Sequence, residues 1–345
     1  MAQKKKAPHV KKKASVRGKR LQRSKIALTG QSLRLAARKA DVAVLRTAQA
    51  YLEKAAELEE ARLQRDEAER ALGAYFAAEA AREKRLFYNF LAQGDSWFDY
   101  TCGRALIHYL RDLFGAEKAY FDSIAASGRT LRQMLSREFK QHLAAPPGGG
   151  PWHGVLLSGG GNDICGDHRF RDWLKPYDGG DHPPEDYITT AFDNEVGILQ
   201  GIYEEAVALV GKAAPGVRLF VHDYDFAIPD GRCVTGPSPH LRADVRFCLA
   251  GPWMWPAFED RGFHRNTKEP APQLTCDIVT AILKRFAAML AGLERKYPNQ
   301  LVLVRTQGTL TPIQATKLWI NELHPYNDSF KALAKPFYDK LRASL

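Results

Sequence analysis

Leu86-Phe87-Tyr88-Asn89-Phe90-Leu91, followed two residues later by Gly94-Asp95-Ser96-Trp97 and then by Leu106-Ile107-His108-Tyr109-Leu110, reads as a strand, a tight turn and a helix. Such a turn holds the Ser96 hydroxyl at the mouth of an open sheet. A Gly-Asp-Ser tripeptide is by itself an ordinary turn. The weight of Ser96 therefore depends on what the rest of the chain brings to the same edge.

Four further short apolar runs follow: Tyr120–Ala125, Gly154–Leu157, Val217–His222 and Leu301–Val304. Helical patterns lie between them near 103–114, 130–143, 188–212 and 272–296, with a last one at 327–343. Strands alternating with helices predict an α/β fold, a flavodoxin-like three-layer sandwich around a five-stranded parallel sheet. Two connections are long, 163–187 after the third strand and 225–271 after the fourth. Both leave carboxyl ends of strands, where open α/β sheets bind ligands, so both are expected to wall or cover a site.

The 345 residues suffice for a substantial core, and 45% hydrophobic with 26% charged residues is an ordinary globular mixture. The formal charge of +11 suggests nucleic acid until it is located. Eleven lysines and arginines and no acid fall in residues 1–25, so residues 26–345 are neutral. The expected organisation is a disordered basic tail (1–25), a long helical segment (26–85) and an α/β domain (86–345). The tail is either a solvated extension or a salt-dependent contact to an anionic partner, nucleic acid or a membrane surface. It lacks the interleaved aromatics that would stack on bases.

Residues 31–85 contain no proline and one glycine, Gly73, among strong helix formers. Asp66–Arg70 and Glu59–Arg62 have supporting helical spacings. A continuous helix here would run about 80 Å, so a fold-back near Gly73 is one expectation. Leu45, Leu52, Leu58, Leu63 and Leu72 make an apolar stripe with irregular heptads. A homo-oligomeric coiled coil and packing against the body are the alternatives. No run of about 18 apolar residues suggests a membrane helix, and no apolar stretch backs the N-terminal charges as in a secretory signal. Cys102, Cys165, Cys233, Cys248 and Cys276 are odd in number and scattered, which predicts free thiols and a cytoplasmic address.

Four motifs stand at strand ends or in the last connection: Gly94-Asp95-Ser96, Ser127-Gly128-Arg129-Thr130, Gly160-Gly161-Asn162-Asp163 and Asn321-Glu322-Leu323-His324-Pro325. Singly, each has a plain structural reading as a strand-exit turn or a helix start. In this order and spacing they resemble the four blocks of the SGNH (GDSL-type) hydrolase superfamily, over roughly residues 86–345. Gly94-Asp95-Ser96-Trp97-Phe98, Asn321-Glu322-Leu323-His324-Pro325 and Tyr224-Asp225-Phe226-Ala227-Ile228-Pro229-Asp230-Gly231 resemble a bacterial branch of it.

The resemblance implies a cofactor-free serine esterase, lipase-like or a deacetylase, acting on a small-molecule, lipid or sugar ester. Ser96 would be the nucleophile and His324 the general base. The oxyanion hole would comprise the Ser96 and Gly128 N–H groups and the Asn162 amide, with a helix N-terminus adding a favourable dipole. One departure matters: the family has Asp three residues before the histidine, and here that place is held by Asn321, with Glu322 beside it. Asn321, Glu322 or a carbonyl group could orient His324. Asn321 is also the feature that leans toward the alternative, a non-catalytic interaction protein recruited by its tail. No metal is expected: His222-Asp223-Tyr224-Asp225 lacks a second ligand cluster, and Cys165/His168 is isolated. Trp253-Met254-Trp255 is read as a local mini-core or an apolar wall, and Trp97 and Phe98 as packing under the turn.

Overall fold

The computed structural model describes residues 42–83, 86–100, 103–147, 150–166, 169–237, 246–263 and 273–345. The basic stretch 1–25 lies outside the described residues. So do the side chains of Leu45, Leu52, Leu58, Glu59, Arg62 and Asp66, and the residues Cys102 and His168. Met1–Ala55 and Ala56–Leu345 are two compact units. Of the first, only the opening of helix α1 (Val42–Glu83) is described.

In the second unit the elements follow as β1 (Tyr88–Gly94), α2 (Leu106–Phe114), β2 (Ala119–Ser123), α3 (Leu131–Met134), α4 (Arg137–Ala144), β3 (Gly154–Ser158), α5 (Gly161–Cys165), α6 (Thr190–Ala213), β4 (Leu219–His222), β5 (Val234–Pro237), β6 (Arg246–Ala250), α7 (Trp255–Asp260), α8 (Gln273–Lys296), β7 (Leu301–Val304) and α9 (Asn327–Ser344). The main sheet has the order β2-β1-β3-β4-β7, with every pairing parallel. This is the flavodoxin-like order expected from the sequence. α2 packs with α9, while α6 packs with α4 and α8. Strands covered on both faces read as unbroken apolar runs, and Phe90–Ala92, Val155–Leu157 and Leu219–Val221 are all buried. Each run turns polar at its carboxyl end, at Asp95, Ser158, His222 and Thr306, which are equally buried. That switch gathers hydrogen-bonding groups at one edge of the sheet.

The described parts of the long connections carry regular structure. The first holds two 3₁₀ turns, Arg169–Trp173 and Pro184–Tyr187. The second carries the antiparallel pair β5–β6 and then α7. Cys233, just before β5, forms a disulfide with Cys248 of β6, which corrects the expectation of five free thiols. The two lie 15 residues apart and become neighbours only through the pairing. The scattered cysteines therefore no longer support a reducing address. Cys165 and Cys276 are free and buried. Among the described residues no helix is long and apolar enough to cross a membrane.

α1 does not fold back at Gly73. Glycine is there because a Cβ would sit 2.3 Å from the ring of Tyr120 on β2. One turn earlier Arg70 donates to both oxygens of Asp122 at 3.0 and 2.8 Å, so it ties the helix to the sheet edge. His142 also contacts Asp122, at 2.8 Å. Gly73→Ala separates helix propensity from this contact. Propensity alone favours Ala by about 1 kcal/mol, and overpacking costs about 1–3 kcal/mol. The expected outcome is a lowered urea midpoint; a raised one means that α1 does not press on Tyr120.

Candidate active site

The turn after β1 is fixed by Asp95. Its Oδ1 accepts from the Trp97 N–H at 3.0 Å, an Asx-type turn, while its carbonyl accepts from the N–H groups of Phe98 and Asp99. Ser96 is left half-buried at the crest. Trp97 and Phe98 pack beneath it as expected, and the Trp97 indole N–H donates to the Leu323 carbonyl at 3.1 Å. That bond joins the nucleophile turn to the loop carrying His324.

Ser96 Oγ and His324 Nε2 lie 2.6 Å apart. Behind the ring, His324 Nδ1 lies 2.9 Å from Asn321 Oδ1. The same oxygen accepts from the N–H groups of Leu323 and His324 at 3.0 and 2.9 Å, which settles which end of the amide faces the ring. Nδ1 therefore carries the proton, and Nε2 offers its lone pair to the serine hydroxyl. The Tyr100 ring stacks on the imidazole at 4.4 Å, and its hydroxyl accepts from Asn321 Nδ2 at 3.4 Å. Burial lowers the His324 pKa to about 3, because the imidazolium loses solvation that no carboxylate replaces.

Glu322, the second candidate orienter, is turned away. Its Oε1 accepts from the N–H groups of Gly231 and Trp255 at 3.0 and 2.9 Å. Its Oε2 accepts from those of Trp253 and Met254 at 2.5 and 2.8 Å. The carboxylate thus ties the two roots of the β5–β6 hairpin to the histidine loop. Of Trp253-Met254-Trp255, Met254 is buried as the mini-core reading expects, and Trp253 lies 5.7 Å from the His324 ring.

The three expected oxyanion donors stand at neighbouring strand exits. Among the described residues neither the Ser96 nor the Gly128 N–H has a hydrogen-bond acceptor. Gly128 has φ +81°, and a Cβ there would meet nothing within 4 Å. The backbone conformation requires the glycine, not crowding by the protein. Asn162 donates one amide hydrogen to the Arg129 carbonyl at 3.0 Å, leaving the other available. The helix dipole expected after Gly128 is absent in substance. α3 has four residues, and the Asp163 carboxylate takes its Leu131 N–H at 2.7 Å. Asp163 instead pins α5 to the exit of β2.

One buried group of polar residues was not foreseen. Tyr224 N–H lies 3.3 Å from His222 Nδ1, so His222 Nε2–H donates to Ser158 Oγ at 2.8 Å, and Ser158 donates to Asp95 Oδ1 at 2.9 Å. These residues compose a Ser-His-Asp set, but in the wrong sequence for catalysis: the serine proton faces the carboxylate and no base faces the serine. Ser158 and His222 are fully buried, and burial lowers the His222 pKa to about 3. The sequence signal was a polar residue ending an apolar strand. In the His222-Asp223-Tyr224-Asp225 motif, Asp223 accepts from the backbone of Thr306 and Gln307, and Asp225 from that of Gly308 and Leu310. Both carboxylates knit β4 to the exit of β7.

No protein-family model matches the sequence, and no curated protein does. Solved structures do resemble it. A phospholipase A1 from Streptomyces albidoflavus shares 15% identity at a TM-score of 0.45, covering 75% of this chain and all of that one. An extracellular lipase from Streptomyces rimosus shares 14% at 0.44, covering 75% and 100%. A member of the lipolytic protein G-D-S-L family from Veillonella parvula shares 12% at 0.42, covering 73% and 97%. The chain is similar to GDSL-type lipolytic proteins. What it does chemically is read from its own side chains.

Nitrogen-15 NMR of labelled histidine tests the geometry without a substrate. Because burial disfavours the cation, His324 should stay a neutral Nδ1–H imidazole as the pH falls through 5. In Asn321→Asp the carboxylate stabilises the cation, and the midpoint should rise by about 1–3 units. A wild-type midpoint at an ordinary histidine value, or none of this rise in the variant, contradicts the arrangement.

Proposed function

We propose that this chain is an SGNH-type serine hydrolase that cleaves carboxylic esters through an acyl-enzyme on Ser96. The observation that carries the reading is the 2.6 Å contact between Ser96 Oγ and a neutral His324 whose Nδ1–H is held by Asn321. Ser96 Oγ attacks the ester carbonyl as its proton passes to His324 Nε2. The negative charge develops on the former carbonyl oxygen, toward the N–H groups of Ser96 and Gly128 and the free amide hydrogen of Asn162. On collapse the C–O bond to the alcohol breaks, and His324 returns the proton to the leaving oxygen. Water then repeats the sequence on the acyl-enzyme, with His324 again as base, and the acid leaves.

Asn321 fits this role with a cost. Its amide oxygen fixes the tautomer and the ring plane, but stabilises the transient imidazolium less than a carboxylate would. Tyr100 stacked on the ring supplies a second restraint on its orientation. The alternative is a non-catalytic body recruited by its tail, toward which the amide at Asn321 leans; the contact that sets His324 in the base tautomer supports the hydrolase reading instead.

Hydrolysis of p-nitrophenyl acetate by wild type, Ser96→Ala and Asn162→Ala tests the proposal. Ser96→Ala should lose at least about a thousandfold in kcat. Asn162→Ala should lose about 10²–10³-fold, with KM little changed. Undiminished turnover by Ser96→Ala sinks the proposal.

A further inference from the structure

Proton transfer from Ser96 puts a positive charge on His324, and little around the ring meets it. Asn321 Oδ1, at 2.9 Å, is a neutral acceptor. The Glu322 carboxylate is spent on the N–H groups of Gly231, Trp253, Met254 and Trp255. Tyr100, Asn321 and His324 are all buried, so water gives the charge little solvation. In a triad with an aspartate the carboxylate stabilises this imidazolium. Here a different group must do so, or the barrier carries the whole cost.

The Tyr100 ring lies over the imidazole, with centroids 4.4 Å apart and planes 23° from parallel. An aromatic face carries the negative part of the ring quadrupole. A cation within about 6 Å of the centroid is attracted to that face, most strongly where water is excluded. A ring that only filled space could meet the imidazole at any tilt; Trp253, at 5.7 Å, crosses it at 68°. Tyr100 is also held in place. Its hydroxyl accepts from Asn321 Nδ2 at 3.4 Å, its carbonyl accepts from the Gly103 N–H at 3.3 Å, and its ring packs with Phe330 at 6.4 Å. It follows Ser96 by four residues, so one short stretch delivers both the nucleophile and a ring for the base.

We infer that Tyr100 is a positioning residue acting through His324, its ring face stabilising the imidazolium in place of the carboxylate absent at Asn321. The inference rests on the serine-hydrolase reading and adds a residue to it. The charge forms when the Ser96 proton reaches Nε2 and disappears when that proton passes to the leaving oxygen. The same contact therefore serves acylation and, with water as nucleophile, deacylation. With a neutral imidazole in the ground state, loss of the contact falls on kcat and not on KM.

Fluorination separates charge from shape. Phenylalanine in place of Tyr100, and then its 4-fluoro, 3,5-difluoro and 3,4,5-trifluoro analogues, keep the ring nearly the same size while weakening its negative face. With p-nitrophenyl acetate, Tyr100→Phe should keep kcat within about threefold, because the hydroxyl bond it loses is long. Each added fluorine should then lower kcat, by about tenfold in the trifluoro protein, with KM little changed. Tenfold is about 1.4 kcal/mol, the scale of a desolvated cation–π contact. Tyr100→Leu should lose at least as much; where it does not fold, the fluorine series decides alone. A flat series, or a loss of tenfold or more already in Tyr100→Phe, overturns the role of Tyr100 and leaves the hydrolase reading intact. Acetate turnover that survives Ser96→Ala, or no turnover by wild type, overturns both.

Discussion

The arrangement depends on one buried carboxylate. Asp95 takes the Trp97 N–H and the Ser158 hydroxyl on one oxygen and the Tyr224 hydroxyl, at 2.5 Å, on the other. It therefore joins the exits of β1, β3 and β4 at one point and shapes the turn that presents Ser96. Burial outweighs these three hydrogen bonds and raises its pKa to about 6. The folded protein thus holds this proton to a higher pH than the unfolded chain does, and ionising Asp95 draws on stability as the pH rises through about 6. Tyr224 meets Asp95 from a backbone with φ +53°, and its hydroxyl also accepts from the Gly161 N–H at 3.3 Å. The strained residue spans the nucleophile turn and the helix that bears Asn162.

A second layer of polar groups holds the histidine side. Asn321 spends one oxygen on two backbone N–H groups and the imidazole. Glu322, its neighbour, spends its carboxylate on four N–H groups from the hairpin roots. The two residues divide the labour: one holds the base, the other holds the loop that borders it. An acid at Glu322 is compatible with an amide at Asn321 because their side chains face opposite loops.

Much of this was legible in the sequence. Apolar runs of four to six residues marked the five parallel strands, since strands covered on both faces need not alternate. Three of the four motifs marked strand exits and the fourth the last connection, and the structure brings Ser96, His324 and Asn321 within hydrogen-bond distance in a row. What the sequence concealed are contacts between loops far apart in the chain. Glu322 serves residues 231 and 253–255, Cys233 reaches Cys248 through a hairpin inside a long connection, and Gly73 answers to Tyr120. None of these has a local period or propensity signature. The Ser158–His222 pair was visible only as polarity at the end of two apolar runs.

Covalent labelling by a fluorophosphonate, followed by peptide mapping, tests most directly whether Ser96 is the serine activated by His324. The account predicts a single adduct, on Ser96, forming about a hundredfold or more slowly in His324→Ala. An adduct on Ser158 or another serine, no adduct, or equal rates in wild type and His324→Ala would contradict it.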